Sequence, residues 1–105
     1  MDARQVPICE VLIHDSLGLC IIPKPPSDYR FVYRAAQSAC WSNESRMLYL
    51  RPIEGWAYLD VFKCIVGAVA EEYSDRLFVN GETVWTRIPA SVRANIEALG
   101  LPADS

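Results

Sequence analysis

His14 is the only histidine in the chain, and the run His14-Asp15-Ser16 holds the three side-chain types of a hydrolase triad. Residues that follow one another directly cannot all converge on one reacting atom, because triads assemble from positions far apart in sequence. Asp15 and Ser16 are also typical turn residues. The run therefore predicts a turn, and the sequence indicates no catalytic residue here or elsewhere.

The other candidates for reactive or metal-binding side chains are the four cysteines, Cys9, Cys20, Cys40 and Cys64. No Cys-x-x-Cys pair occurs and there is one imidazole, so the ligand spacings of structural zinc sites are absent. Two disulfides in a secreted domain are the alternative, but the first five residues lack the basic start of a signal peptide. The sequence predicts reduced thiols that fill the core, with no metal and no cofactor.

Asn80-Gly81 lies between two stretches of strand-forming residues, at 76–79 and 82–88. Asn-Gly suits a two-residue hairpin turn, which needs positive φ at both central positions. Since side chains alternate along each strand, the hairpin pairing sorts the ribbon into two faces. The predicted core face holds Leu77, Val79, Val84 and Ile88. The predicted partner-binding face, rich in the residue types of interface hot spots, holds Arg76, Phe78, Trp85 and Arg87.

Aromatic and acidic residues outside the ribbon form two further candidates. Ligand pockets are mostly apolar with a few polar groups, and the predicted pocket between sheet and helix is lined by Tyr33, Trp41, Trp56 and Tyr58. Acidic groups crowd the end of the predicted long helix, where they oppose the helix dipole. A solvated acidic surface is the prediction there, with a mask for a basic target as the alternative, formed by Glu71, Glu72 and Asp75.

The elements that must position these residues follow from hydrophobic periodicity. Alternation predicts strands at 8–14, 19–22, 29–35 and 46–51, with a proline-rich loop at 23–28. Apolar residues at helical spacing predict a long amphipathic helix over 55–74, and a short C-terminal helix is predicted at 89–99. The order predicts one α+β domain, 1–105. Its antiparallel sheet of five or six strands carries the long helix on one face.

Composition narrows the classes of partner. A 51% hydrophobic content argues against disorder, and a net charge of −3 disfavours nucleic-acid binding. Arg30 and Arg34 alternate with Tyr29 and Tyr33, so a joint base-binding surface is disfavoured as well. No apolar stretch approaches the ~20 residues that span a bilayer. The prediction is a cytoplasmic protein that binds neither membranes nor nucleic acid.

Residues 33–36 (YRAA), a strand turn and the aromatic-rich segment 56–63 (WAYLDVFK) follow one another within residues 30–88. This order resembles the small α+β proteins encoded by bacterial integron gene cassettes. The resemblance implies a bacterial cytosolic protein from a mobile element, in some cases a homodimer. It carries no catalytic signature and assigns no functional residue.

The leading hypothesis is a small non-catalytic interaction module that forms a homodimer or binds a protein partner through the ribbon. Alternatively, Phe78 and Trp85 belong to the core and the arginines extend beyond the edge. A second hypothesis, from another class, is a small-molecule-binding protein or small enzyme that uses the aromatic-lined pocket. A third is an immunity-type or regulatory protein whose acidic helix end masks a basic target.

Overall fold

The computed structural model describes residues 4–50 and 54–100. In chain order, its elements are strands β1 (Arg4–His14) and β2 (Gly18–Pro23), a single 3₁₀ turn (Val32–Arg34), strands β3 (Ala39–Ser42) and β4 (Met47–Leu50), helix α1 (Tyr58–Tyr73), strands β5 (Asp75–Phe78) and β6 (Val84–Thr86), and helix α2 (Ala90–Gly100). The predicted α+β class is confirmed. The predicted strand at 46–51 is found at 47–50; Arg46 belongs to the preceding turn, and residue 51 lies outside the described residues.

The sheet has the strand order β3-β4-β2-β1-β5, and β6 also pairs with β1. The pairs β1–β2, β2–β4 and β3–β4 are antiparallel, whereas β5 and β6 both run parallel to β1. The prediction of a purely antiparallel sheet is therefore wrong. The reason is the crossover: α1 carries the chain from the end of β4 back over the sheet, which is the connection that parallel strands require.

A turn is present from Asn80 to Thr83, where the Thr83 N–H donates to the Asn80 carbonyl (3.2 Å), but neither Asn80 nor Gly81 has a positive φ. The predicted two-residue turn and the hairpin around it are therefore wrong. β5 pairs with Arg4–Pro7 and β6 with Glu10–Leu12, so the two strands lie end to end along β1. Between them the chain leaves the sheet edge. The Asn80 side-chain oxygen accepts the Glu82 N–H (2.9 Å), and the Thr83 hydroxyl donates to the Ile8 carbonyl (2.8 Å). The hydrogen bond from Thr83 thus holds residues 79–83, between β5 and β6, against β1.

The core lies between the inner face of the sheet and the two helices. From α1 it receives Val61, Phe62, Ile65, Ala68 and Val69, from α2 it receives Ile96, and the sheet supplies most of the rest, including Val6, Ile8, Val11, Leu19, Ile21, Leu48, Leu50 and Leu77. The long helix is shorter than predicted. Most of the difference lies at its start, since it begins at Tyr58. It ends at Tyr73, and Ser74 caps it with left-handed backbone (φ +58°) and an N–H bond to the Ala70 carbonyl.

The predicted strand at 29–35 is wrong, because Tyr29 is anchored in the core instead. Its ring packs edge-on against Trp41 (centroids 5.6 Å apart) and Tyr73 (5.0 Å). The Tyr73 hydroxyl in turn accepts the Phe31 N–H at 2.8 Å. These contacts hold the segment against α1 in a 3₁₀ turn, so the alternation of aromatic and arginine residues does not reflect a strand.

All four cysteines carry free thiols. Cys20 is buried, Cys40 and Cys64 are partly buried and Cys9 is exposed, so the predicted core role fits Cys9 poorly. Across residues 4–50 and 54–100, no group of three or more histidine, cysteine or acidic side chains is arranged to hold a metal ion. Within the same residues, no helix has both the length and the apolar character to cross a membrane.

Candidate functional site

One cleft brings together residues from both predicted sites. It lies between the β1–β2 turn and the start of α1 and has a volume of about 440 Å³. Its walls are the turn residues 13–19, the side chains Leu50, Trp56, Tyr58 and Val61, and Arg87 from the segment after β6. We call this cavity the His14 cleft.

The turn that forms one wall is organised by His14. Its Nδ1 atom accepts the backbone N–H groups of Ser16 (3.0 Å) and Leu17 (3.3 Å). Gly18 closes the turn at φ +76°, a conformation that suits glycine. A ring nitrogen that accepts hydrogen bonds carries no proton, so in this arrangement the N–H of the ring is on Nε2. The predicted turn is confirmed, and His14 keeps one N–H donor at the cleft.

The opposite wall presents two aromatic rings at the start of α1. Trp56 precedes the helix and Tyr58 is its first residue, and they remain 44% and 39% exposed. Between them, the N–H of Ala57 donates to the Asp60 carboxylate at 3.1 Å. This bond fixes the backbone that carries both rings. Large aromatic side chains left in contact with water at a cavity are typical of a binding surface.

Arg87 closes the cleft from a strained backbone position. Its φ of +61° lies in the left-handed region, which favours glycine and asparagine. Its Nη2 atom donates to the Asp15 carboxylate at 2.8 Å, and the two side chains are 61% and 80% exposed. Exposed pairs of this kind contribute only about 0–1 kcal/mol. The guanidinium can therefore exchange Asp15 for another anionic group at little cost.

The predicted partner-binding face is divided between the two sides of the sheet. Trp85 pairs with the buried Val11 and packs against the core, with the Arg93 guanidinium 5.2 Å from its ring. Arg76 and Phe78 alternate with the buried Leu77 and face the other side.

The core face predicted from the same hairpin is correct at three positions. Leu77 and Val79 are buried, and Ile88 packs against the core, but Val84 is 55% exposed. The division of the partner-binding face and the error at Val84 have one reason: β5 and β6 pair with β1 and not with each other. A binding role for Arg76, Phe78, Trp85 and Arg87 stays a prediction.

The predicted aromatic pocket is also divided. Trp56 and Tyr58 line the His14 cleft, whereas Tyr33 and Trp41 do not. Tyr33 is exposed in the 3₁₀ turn, with its ring 6.4 Å from that of Phe31. Trp41 packs against Tyr29, and its indole N–H is buried with no hydrogen-bond partner among the described residues.

The predicted solvated acidic surface is wrong at Asp75, which is buried at the start of β5, whereas Glu71 is exposed and Glu72 is partly buried. Its carboxylate accepts bonds from Arg4 (2.7 Å to Nη2) and from the Tyr29 hydroxyl (2.9 Å). Burial, together with the bond to Asp75, raises the pKa of Tyr29 to about 12. Glu72 contacts Arg34 at 3.7 Å. Asp75 is thus part of an internal network and is not available to mask a basic target.

Sequence reasoning missed the roles of His14 and Asp15 in a shared cavity. Their turn was recognised, but nothing local indicates that it lies beside Trp56 and Arg87, about forty and seventy positions further along the chain. The left-handed backbone of Arg87 is visible only in the structure, so the sequence offers no local signal for this cavity.

Comparison with known proteins identifies the family of this chain. Residues 7–83 match the family described as Integron Cassette Protein Hfx_Cass5. A solved structure of Integron Cassette Protein Hfx_Cass5, from the mobile metagenome of North West Arm Sewage Outfall, is similar at 23% identity over 90% of this chain and 94% of that chain, with a TM-score of 0.43. No curated protein matches the chain. The resemblance to integron cassette proteins is confirmed, and the chain belongs to the Hfx_Cass5 integron cassette protein family.

Proposed function

We propose that this protein is a non-catalytic binder of a small planar molecule that carries an anionic group, with the His14 cleft as its site. The observation that carries the proposal is Arg87. A guanidinium with an exchangeable partner is held in left-handed backbone beside two half-exposed aromatic rings.

The dimensions and lining of the cleft support a small ligand. Ligand sites span about 300–1,000 Å³ and combine an apolar lining with a few polar groups that orient the ligand. The cleft, at about 440 Å³, lies within this range. Leucine, isoleucine and valine side chains supply its aliphatic lining, and its polar side chains include His14, Asp15, Ser16 and Arg87.

The polar groups favour an anion. A guanidinium recognises carboxylate and phosphate groups through two parallel N–H bonds. The first turn of α1 lies at the same wall. Asp60 already places one carboxylate in that turn, bound to the Ala57 N–H, and the Ala57 side chain caps no N–H group. The positive end of the helix dipole therefore favours negative charge there. The Nε2–H of His14 is a further donor.

The aromatic rings favour a planar body. Tryptophan and tyrosine bury large areas when they stack, and aromatic pairs gain about 0.5–1.5 kcal/mol beyond that burial. Trp56 and Tyr58 stand one residue apart, on either side of Ala57. Because both rings and Arg87 line one cavity, we expect a flat ligand stacked on a ring to place an attached anionic group near Arg87.

The same geometry favours binding over turnover. His14 Nδ1 is occupied by the backbone N–H groups of its own turn, and Asp15 is paired with Arg87 and not with the imidazole. Neither side chain is arranged as a relay that activates a nucleophile, which needs a base within hydrogen-bond reach and a third group that orients it.

Self-association or partner binding through Arg76, Phe78, Trp85 and Arg87 stays a second hypothesis, supported by residue type alone. Trp85 faces the core, while Arg76 and Phe78 face the other side of the sheet. A cytoplasmic location likewise stays a prediction.

The test is a titration with 2-naphthoate and with adenosine 5′-monophosphate, followed by the indole N–H resonance of Trp56 in two-dimensional NMR. The neutral controls are 2-naphthylmethanol and adenosine. We expect at least one anion to shift the Trp56 resonance in a saturable way, and its neutral analogue to bind more weakly.

Arg87→Asn should weaken that binding at least about tenfold, because it removes a charge-assisted pair and suits the left-handed backbone. The matched control is Arg93→Gln, another exposed arginine, which should bind as the wild type does. If neither anion shifts Trp56 at millimolar concentration, or if Arg87→Asn binds with wild-type affinity, the proposal is wrong.

A further inference from the structure

A second cavity lies beside the proline-rich loop and shares no lining residue with the His14 cleft. Its volume is about 470 Å³. The apolar wall comes from the end of β2 and from the loop, through Ile22, Pro23, Pro25 and Pro26, and the charged groups around it are Arg4, Asp28 and Arg46. We call this cavity the Pro25 pocket.

Two of the three charged groups are already neutralised by neighbours. The guanidinium of Arg4 is bound to the buried Asp75 carboxylate through Nε (3.3 Å) and Nη2 (2.7 Å). The Asp28 carboxylate accepts the backbone N–H of Arg30 and is also paired with its guanidinium. Hydrogen bonding from the Arg30 side chain accordingly lowers the pKa of Asp28.

Arg46 is the third charged group around the pocket, and it forms no ion pair among the described residues. Its Nη1 atom donates to the Ser27 carbonyl at 3.2 Å, and in the described part of the chain no carboxylate lies within 4.0 Å of its guanidinium. The pocket therefore combines an apolar wall with one cation that forms no ion pair within 4.0 Å there. The charge of Arg46 also reaches Asp28 and helps to lower the pKa of that carboxyl, but the carboxylate is bound directly by Arg30. Lys24 borders a smaller neighbouring cavity that shares Pro25 and Pro26, and it adds positive potential on the same side.

The backbone of Arg46 favours a different residue. It ends the β3–β4 turn with φ +55°, and its N–H donates to the Ser42 carbonyl at 2.7 Å. Glycine or asparagine fits this left-handed position better than arginine does. Residues held in sparsely populated backbone regions cluster at ligand sites. Here the unusual residue is also the one that brings a cation to the pocket.

From these observations we infer that the Pro25 pocket binds a small organic anion with an aliphatic body, its apolar part on the prolines and its carboxylate on Arg46. Proline fixes φ at about −65°, so this wall loses little freedom when a ligand binds. Pre-organised walls raise affinity by reducing that ordering cost. The inference is independent of the function proposed for the His14 cleft.

The test uses cyclohexanecarboxylate, whose non-planar ring cannot stack as an aromatic molecule does on Trp56 and Tyr58. Binding is followed by NMR at the Ile22 methyl groups, with cyclohexylmethanol as the neutral control. We expect a saturable shift of the Ile22 methyl resonances with the carboxylate and a weaker response to the alcohol.

Arg46→Gly removes the cation while suiting the left-handed backbone, so the variant should fold and should bind the carboxylate at least about tenfold more weakly. Arg46→Lys should retain part of the affinity because it keeps the charge. Arg87→Asn should bind as the wild type does, which separates this site from the His14 cleft. Equal affinity in Arg46→Gly and wild type, or shifts at Trp56 without any at Ile22, would overturn the inference.

Discussion

Two arginine–aspartate pairs have the same chemistry and opposite surroundings. The Arg4–Asp75 and Arg87–Asp15 contacts measure 2.7 and 2.8 Å. The side chain of Asp75 is 9% exposed and also accepts the Tyr29 hydroxyl, whereas that of Asp15 is 80% exposed. The distance between the charges does not separate the two pairs, but burial of the carboxylate does.

The difference indicates which pair stabilises the fold and which is free to bind. A buried carboxylate with several donors leaves those donors unsatisfied when it is removed. An exposed pair gives way to water or to a ligand at almost no cost. We therefore assign the Arg4–Asp75–Tyr29 network to stability and the Arg87–Asp15 pair to recognition.

The largest expected effect is the contrast between Asp75→Ala and Asp15→Ala. Asp75→Ala leaves the buried Tyr29 hydroxyl without its acceptor, so the free energy of unfolding should fall by about 3 kcal/mol. Asp15→Ala should change it by less than about 0.5 kcal/mol. Urea unfolding followed by circular dichroism measures both. Similar losses in the two variants would remove the distinction between the pairs.

A pH series tests the stabilising role of the Arg4–Asp75–Tyr29 network, and the change in stability that we expect is of intermediate size. The pKa of Tyr29 is about 12 in the folded protein against an ordinary value of 10.0. A raised folded pKa means that the stabilising protonated form is fully present below pH 10 and is lost as the pH rises toward 12. The free energy of unfolding should therefore decline over that interval, and Tyr29→Phe should decline less.

Cys20 contributes an earlier part of the decline, because burial raises its pKa to about 11 from 9.0. The same sign applies, so its contribution falls between pH 9 and 11. Cys20→Ala is the control that removes this part. If wild type and Tyr29→Phe follow parallel curves up to pH 12, Tyr29 is not held in the network as described.

The smallest expected difference in stability concerns the backbone conformation of residue 87. Arg87→Asn and Arg87→Ala both remove the exposed pair, but only asparagine suits φ +61°. The asparagine variant should be more stable than the alanine variant by about 1 kcal/mol. Thermal unfolding of the two proteins side by side gives the difference. Equal stability would show that residue 87 is not held in left-handed backbone.

The parts of the fold that the sequence predicts are those with local signals. The turn after His14, β2 and the body of α1 each follow from neighbouring residues, through turn chemistry or helical spacing. Asn80-Gly81 indicates a turn in the right region but the wrong type, since neither residue has the positive φ that the prediction requires. It does not predict the strand pairing, because the decisive contact joins Thr83 to Ile8, 75 positions apart.

The candidate site shows the same limit. Trp56, Tyr58 and Arg87 were recognised as residues of binding type, yet they were assigned to two separate sites. Their grouping depends on the crossover of α1 and on the pairing of β6 with β1. Neither feature can be predicted from the residue types or their spacing. His14 was correctly placed in a turn, but its position in the cleft is a property of the whole fold.

The most direct test of the account is a crystal structure of the protein soaked with 2-naphthoate. We expect the naphthyl ring on Trp56 or Tyr58, with its carboxylate bound to Arg87 and Asp15 released from the pair. A structure in which the ligand lies away from the cleft, or in which the cleft stays empty with Arg87 still bound to Asp15, would contradict it.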